Sequence, residues 1–216
     1  IGAAIAGKRP IIEIMFIDFL TLAMNQLVNH AAKLRYMSGG QLSVPMVIRV
    51  QQGAAGGWGA QHSQCLESWF QHVPGLKMVA ASNSADAAAL LKDSIRDEDP
   101  VLFLEHRGLY FRSDDPPPSE ASPAMQAATV IRPGNDITII TYSKLVWDAM
   151  DAAVQLERQG ISAEIIDLRS LVPLDRETVP GSVKRPSRAL IAHEAVLNGG
   201  LSAEIAARIQ EQAFDW

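Results

Sequence analysis

The stretch GGWGAQHSQCLESWF, residues 56–70, brings together glycines, a tryptophan, a histidine and the only cysteine of the chain. A histidine near a helix start can exchange protons near neutral pH, because free N–H groups and the helix dipole lower the pKa of an adjacent imidazole. His62 fits that description if a helix runs through 63–72. It fits equally the commoner role of a hydrogen-bonded structural histidine. Cys65 lies one helical turn further on, so a thiolate–imidazole pair is conceivable, although a lone cysteine is most often a small buried apolar residue. The glycines before His62 let the backbone turn sharply or approach a ligand. The pattern is neither G-x-G-x-x-G nor a phosphate-binding loop ending in Lys-Ser/Thr, so a nucleotide site has little support.

Two other segments have chemistry-bearing residues at strand ends. LEHRGLYFR (104–112) places Glu105, His106 and Arg107 after a strand, and AHEAVLNGG (192–200) places His193 and Glu194 after another. A solvated strand end accounts for either as well as a site does. The histidines at 30, 62, 72, 106 and 193 show no H-x-x-x-H or C-x-x-C spacing, so a clustered zinc site is not indicated.

These residues sit in a strand–helix alternation. IIEIMF (11–16) predicts a short buried strand, with Asp18 as the N-cap of a helix carrying Leu20, Met24, Leu27, Ala31 and Leu34 on one face and stopped by Gly39-Gly40. Strands follow at 44–50, 76–81 and 101–106, with Ser84 capping the helix between the last two. Residues 114–126 are rich in proline, serine and acids, a linker composition. Beyond it come strands at 137–142, 163–168 and 189–193 and helices at 144–158 and 201–212. Apolar strands without alternation imply an α/β fold of parallel sheets flanked by helices, with ligands at the carboxyl ends of the strands.

Bulk composition narrows the functions. The chain has 216 residues, 48% hydrophobic and 20% charged, with 19 Lys and Arg against 24 Asp and Glu for a net charge of −5. A mildly acidic protein without charge runs lacks the basic face that nucleic acid or an anionic membrane requires. No apolar run reaches membrane-spanning length. A single cysteine excludes an internal disulfide and suits a reducing compartment. The opening IGAAIAG lacks the pattern of a secretory signal, and both ends read as cut from something longer.

EIMFIDFLTLAMNQLVNHAAKLRYMSGGQ (13–41), the run from Gln61 to His106, and IIDLRSLVPLD (165–175) together resemble the beta subunit of thiamine-diphosphate-dependent 2-oxo acid dehydrogenases. The resemblance covers essentially the whole chain, with long motifs in order. It implies a transketolase-like pyrimidine-binding domain over 1–113, a linker at 114–126 and an incomplete transketolase-type C-terminal domain over 127–216. In that family the cofactor's diphosphate and its magnesium belong to an alpha subunit, through a G-D-G motif that is absent here. The beta chain receives the aminopyrimidine, Phe19 matches the aromatic against that ring, and His62 matches the active-site histidine. Main-chain oxygens of Met46, Ser94, Ile95, Asp97 and Asp99 match a potassium site of some members.

The function implied is decarboxylation of a pyruvate-type 2-oxo acid, or cleavage of acetoin, with acyl transfer to lipoyl groups of a multienzyme complex. The implied partners are an alpha subunit, in an alpha2beta2 heterotetramer, and a lipoyl-bearing acyltransferase core. The implied compartment is the bacterial cytoplasm or the mitochondrial matrix. Two departures stand out. The family's activating glutamate precedes the first residue of this sequence, so the polypeptide as given is expected to be catalytically incomplete. Leu22 stands where many pyruvate-type members carry glutamine, which leans toward the acetoin-like branch. A fragment of transketolase or deoxyxylulose-phosphate synthase, and a non-catalytic assembly module, are the alternative readings.

Overall fold

The computed structural model describes residues 1–54, 56–113 and 125–215. Two sheets organise them. The first has β1 (Ile11–Ile14), β2 (Val47–Gln52), β3 (Lys77–Ala80), β4 (Val101–His106) and β8 (Ser170–Val172) in the order β1-β2-β4-β3-β8. Its first four strands are parallel, and β8 closes the far edge antiparallel to β3. The second sheet has β5 (Thr129–Arg132), β6 (Ile137–Thr141), β7 (Ala163–Asp167) and β9 (Ala189–Ile191) in the order β5-β7-β6-β9. All of its pairings are parallel except β5 with β7. This is an α/β fold of two sheets, each flanked by helices.

The central strands behave as their sequences predict. β2, β4 and β7 are mostly apolar and almost entirely buried on both faces, because helices cover both sides of a parallel sheet; their polar residues, such as Glu164 of β7, are taken inside with them. One continuous core links the halves, running from Ile48, Met78 and Leu104 through Ile140, Ile166 and Leu168 to Leu201 and Ile205. Besides the short α1 (Gly2–Ile5) and α7 (Thr178–Val183), the long helices α5 (Ser84–Arg96), α6 (Leu145–Glu157) and α8 (Leu201–Ala213) lie where the apolar spacing predicts, α6 and α8 to within one residue at each end and α5 ending three residues short of the expected 99.

Several local expectations change. β1 is shorter than 11–16 and exposed, because it is an edge strand whose apolar residues Ile11 and Ile12 are left uncovered by this chain. The helix expected over 20–37 is broken into α2 (Ile17–Leu20), a 3-10 turn at Thr21–Ala23, a π-helical stretch at Gln26–Ala31 and α3 (Leu34–Met37). Widening of this kind is frequent near functional sites. It ends as predicted, on Gly39 and Gly40, both with positive φ. Asp18 is not the cap. It lies inside α2 with Phe16 at the cap position, and its buried carboxylate serves a loop instead. Asn83 rather than Ser84 caps α5, its Oδ1 accepting from the Asp86 amide at 2.9 Å. The helix expected over 63–72 shrinks to α4 (Glu67–Gln71). The short strands β5 and β8 were not foreseen from the sequence. Most of the expected linker, residues 114–124, lies outside the described residues.

Candidate functional site

β1, β2 and β4 are neighbours in the first sheet and run parallel, so their carboxyl ends open on one side. β1 leads into Phe16 and α2. β2 leads into the glycine loop. β4 leads into a 3-10 turn at Arg107–Leu109. The residues after these three strands form one cluster.

His62 is at its centre. The imidazole meets Phe16 edge-to-face at 5.0 Å between ring centroids, and Phe19 at 5.1 Å in the same manner. Phe16 and Phe19 meet each other at 5.8 Å. Phe16 is buried, whereas Phe19 is 39% exposed and leaves part of its ring open beside the histidine. The two side chains singled out in the sequence, Phe19 and His62, are therefore in direct contact. His62 itself is in a turn, five residues before α4 begins, so the helix terminus invoked from sequence is not what surrounds it.

The loop is held at both ends. Gly53 has φ +100, and a Cβ there would fall 2.1 Å from His106 Nε2 and 3.1 Å from Glu194 Oε2. Only glycine lets the chain leave β2 over that pair. Farther along, Gln64 Nε2 donates to Asp18 Oδ1 at 2.7 Å, which ties the stretch after His62 to α2. Between these anchors, Gly56 lets Trp58 fold back, since a Cβ at 56 would lie 1.7 Å from Trp58 Nε1. Trp58 then rests on the Arg107 guanidinium, 4.6 Å from ring centroid to Cζ.

The strand-end acids and histidines noted in sequence meet across the two halves. His106 Nε2 lies 2.7 Å from Glu194 Oε2, close but off the line of a hydrogen bond, and His106 Nδ1 accepts from the Gly108 amide at 3.0 Å. Burial pushes the Glu194 carboxyl up, and His106 and Lys144 more than offset it, so the group ends below its ordinary range. His193 bonds instead to Ser202 Oγ at 2.7 Å. Cys65 does not become a nucleophile. Burial, with the Glu67 and Glu194 charges, pushes its thiol far above the range in which a thiolate forms near neutral pH. Glu67, 1% exposed, accepts from the Tyr142 hydroxyl, and burial raises its pKa despite that bond.

The half-open Phe19 ring beside an imidazole suits a planar heterocycle, which can lie against the aromatic with a proton-handling group at its edge. The aminopyrimidine of thiamine diphosphate fits that description. The potassium residues give a different result. The carbonyls of Ile95 and Asp97 do converge, but on Arg9 Nη1, at 2.9 and 2.8 Å, while the Met46 carbonyl accepts from the Val101 amide. Lys77 and Arg35 pair with Asp97 and Asp99 at the same place. Arg9 thus sits at two of the five carbonyls. Among the described residues, no group of three or more His, Cys, Asp or Glu side chains could hold a metal ion.

The pyrimidine-binding domain family of transketolase matches residues 1–112, and the transketolase C-terminal domain family matches residues 126–216. A mitochondrial pyruvate dehydrogenase E1 component subunit beta-1 from Arabidopsis thaliana is 45% identical over the whole chain, which covers 61% of that protein. The beta subunit of acetoin:2,6-dichlorophenolindophenol oxidoreductase from Cupriavidus necator is 44% identical over 99% of this chain and 63% of its own length. A pyruvate dehydrogenase E1 beta subunit from Gracilaria tenuistipitata is 45% identical, with 67% of its length covered. The chain thus spans roughly three-fifths to two-thirds of these relatives. Among solved structures, an inactive beta4 tetramer of a split-gene transketolase superposes with a TM-score of 0.81 at 24% identity, over 98% of this chain and 66% of that one, a likeness of fold.

Proposed function

This chain belongs to the transketolase-like beta subunits of thiamine-diphosphate-dependent 2-oxo acid dehydrogenases, and from that premise we propose that it forms the pyrimidine side of a shared active site. The proposed reaction is decarboxylation of a 2-oxo acid, or cleavage of an acetoin-type hydroxyketone, followed by acyl transfer to a lipoyl group. The observation that carries the proposal is the contact of Phe19 with His62 at 5.1 Å, half-open at the ends of three parallel strands.

When bound, the cofactor supplies the electron sink for breaking the carbon–carbon bond. The residues of this chain do the rest of what falls to it. Phe19 positions the pyrimidine ring. His62, packed against the Phe16 and Phe19 rings, would donate a hydrogen bond or a proton to the substrate's oxo oxygen, which gains charge when its carbon is attacked, and would assist transfer to the acceptor. Phe16 and Trp58 wall the site against water, which strengthens each of these interactions.

In this proposal residues 1–113 form the pyrimidine-binding domain, 114–126 the linker and 127–216 the C-terminal domain. The diphosphate and magnesium sit on an alpha subunit, in an alpha2beta2 assembly that docks on a lipoyl-bearing acyltransferase core. The assembly works in the bacterial cytoplasm or the mitochondrial matrix. A potassium ion at the carbonyls of Met46, Ser94, Ile95, Asp97 and Asp99 would require Arg9 to turn away from Ile95 and Asp97. No described helix is long and apolar enough to cross a membrane.

The test uses the full-length chain assembled with its alpha partner. The complex should bind thiamine diphosphate by titration calorimetry and reduce a dye with a 2-oxo acid or acetoin. His62→Ala should lower turnover at least about 100-fold, the scale of a lost proton-transfer group, with assembly intact. Full turnover in that variant would remove His62 from the chemistry.

A further inference from the structure

Arg107 is the first residue after β4, and two aromatic rings hold its guanidinium. Its Cζ lies 4.6 Å from the Trp58 ring centroid and 5.2 Å from that of Phe16. Phe16 is also the ring that His62 touches, at 5.0 Å. The cation and the imidazole therefore flank one side chain. Arg49, on the neighbouring strand, is neutralised by Glu105 at 2.7 Å and by Glu13 at 3.3 Å. Arg107 has no carboxylate partner among the described residues.

A guanidinium between two ring faces is partly stripped of water, and it keeps its planar N–H donors free around the rim. Such a group binds a carboxylate through two parallel hydrogen bonds, more strongly than it would in open solvent. Local structure is arranged to hold it there. Gly56 alone leaves room for the Trp58 indole to fold back, and the end of β4 fixes the arginine's origin. A neutral hydroxyketone has nothing for this charge to recognise, whereas a 2-oxo acid carries its carboxylate one bond from the reacting carbon.

We infer that Arg107 binds the carboxylate of the substrate beside His62, so that the site is built for an anionic 2-oxo acid in preference to a neutral hydroxyketone. The inference rests on the function proposed above and names its substrate class. Leu22, the residue that leaned toward the acetoin-like branch, is 87% exposed and is not one of the side chains in this cluster. Because the carboxylate must leave as carbon dioxide, Arg107 serves binding more than bond breaking. Removing an interaction that is no stronger in the transition state than in the ground state raises KM without lowering kcat.

The experiment compares the full-length parent, Arg107→Gln and Arg107→Lys, each assembled with the alpha partner and loaded with thiamine diphosphate. Oxamate, an anionic isostere of pyruvate, is titrated by calorimetry against each, with neutral oxamide as the control. Arg107→Gln should weaken oxamate about 10- to 100-fold, the scale of one charge-assisted contact, and raise KM for pyruvate by a similar factor. The ratio of kcat/KM for pyruvate over acetoin should fall in step. Arg107→Lys should recover part of each loss, since it keeps the charge without the fork. Equal oxamate affinity in parent and Arg107→Gln would overturn the inference, as would a parent that cleaves acetoin but not 2-oxo acids. Failure of Arg107→Gln to assemble would also overturn it, by assigning the charge to the subunit contact. A parent complex that binds no thiamine diphosphate would instead bring down the proposed function itself, and this inference with it.

Discussion

His106 and Glu194 meet at 2.7 Å between Nε2 and Oε2, joining the end of β4 to the residues after β9 directly beneath Gly53. The pair fixes where the glycine loop leaves the sheet, and so where His62 can stand. Glu194→Ala should destabilise the protein by about 1–3 kcal/mol, the scale of removing a close carboxylate from beside a buried polar group. Glu194→Gln should retain most of the stability, because an amide oxygen can still face Nε2. Gly53→Ala should be worse than either, since its Cβ would fall 2.1 Å from that nitrogen at a φ that disfavours alanine. Thermal midpoints of the three variants check the order.

The second anchor of the loop is the bond from Gln64 to Asp18. Asp18 is buried, so removing Gln64 strands a carboxylate rather than merely losing a surface contact. A double-mutant cycle of Gln64→Ala with Asp18→Asn should give a coupling energy of about 1.5–3 kcal/mol, the range for a hydrogen bond to a charged group. Urea denaturation of the four proteins measures it. A coupling near zero would mean that the loop holds its place without α2.

What was legible in the sequence follows physical locality. β2, β4 and β7 could be read because both of their faces are buried, which leaves predominantly apolar runs, and α5, α6 and α8 because one face of each packs on a sheet. β5 and β8 could not, because strands of three or four residues owe their form to the partners β7 and β3. The helix expected through 63–72 gave way because Gln64 and His62 are bound to α2 and its aromatics. The sequence marked His106 and Glu194 as strand-end residues, but nothing local says that they meet. Arg107 was visible as a charge, while its standing without a carboxylate partner among the described residues is a property of the folded cluster.

Asn83 offers a direct test of one of those differences. Its Oδ1 accepts from the Asp86 amide, and its Nδ2 donates to Asp86 Oδ2 at 2.8 Å, a reciprocal clasp on the first turn of α5. Asn83→Ala should cost about 1 kcal/mol, the usual loss for a helix N-cap. Ser84→Ala should cost only a few tenths, because residue 84 is already inside the helix. Equal losses in chemical denaturation would return the cap to Ser84.

Asp167 makes the stability of the domain junction depend on pH. It is fully buried at the end of β7, where its Oδ2 accepts from Ser82 Oγ at 2.5 Å and its Oδ1 from the Arg169 amide at 3.1 Å. Burial pushes its carboxyl from 3.8 up to about 7; the Ser82 bond opposes the shift, Asp86 adds to it, and Arg169 opposes it again. A raised folded pKa means that the protonated acid fits the fold better than the carboxylate. Its stabilising contribution is complete below the unfolded value of 3.8 and is lost as pH rises through about 7. Asp167→Asn keeps a neutral, isosteric group at every pH. The variant should match the parent near pH 4 and exceed it at pH 8, by an amount on the order of 1–4 kcal/mol. Urea midpoints of both proteins at pH 4.5, 6 and 8 give the difference, and other carboxylates cancel in the subtraction. A difference that stays constant across that range would show that Asp167 is ionised in the fold throughout.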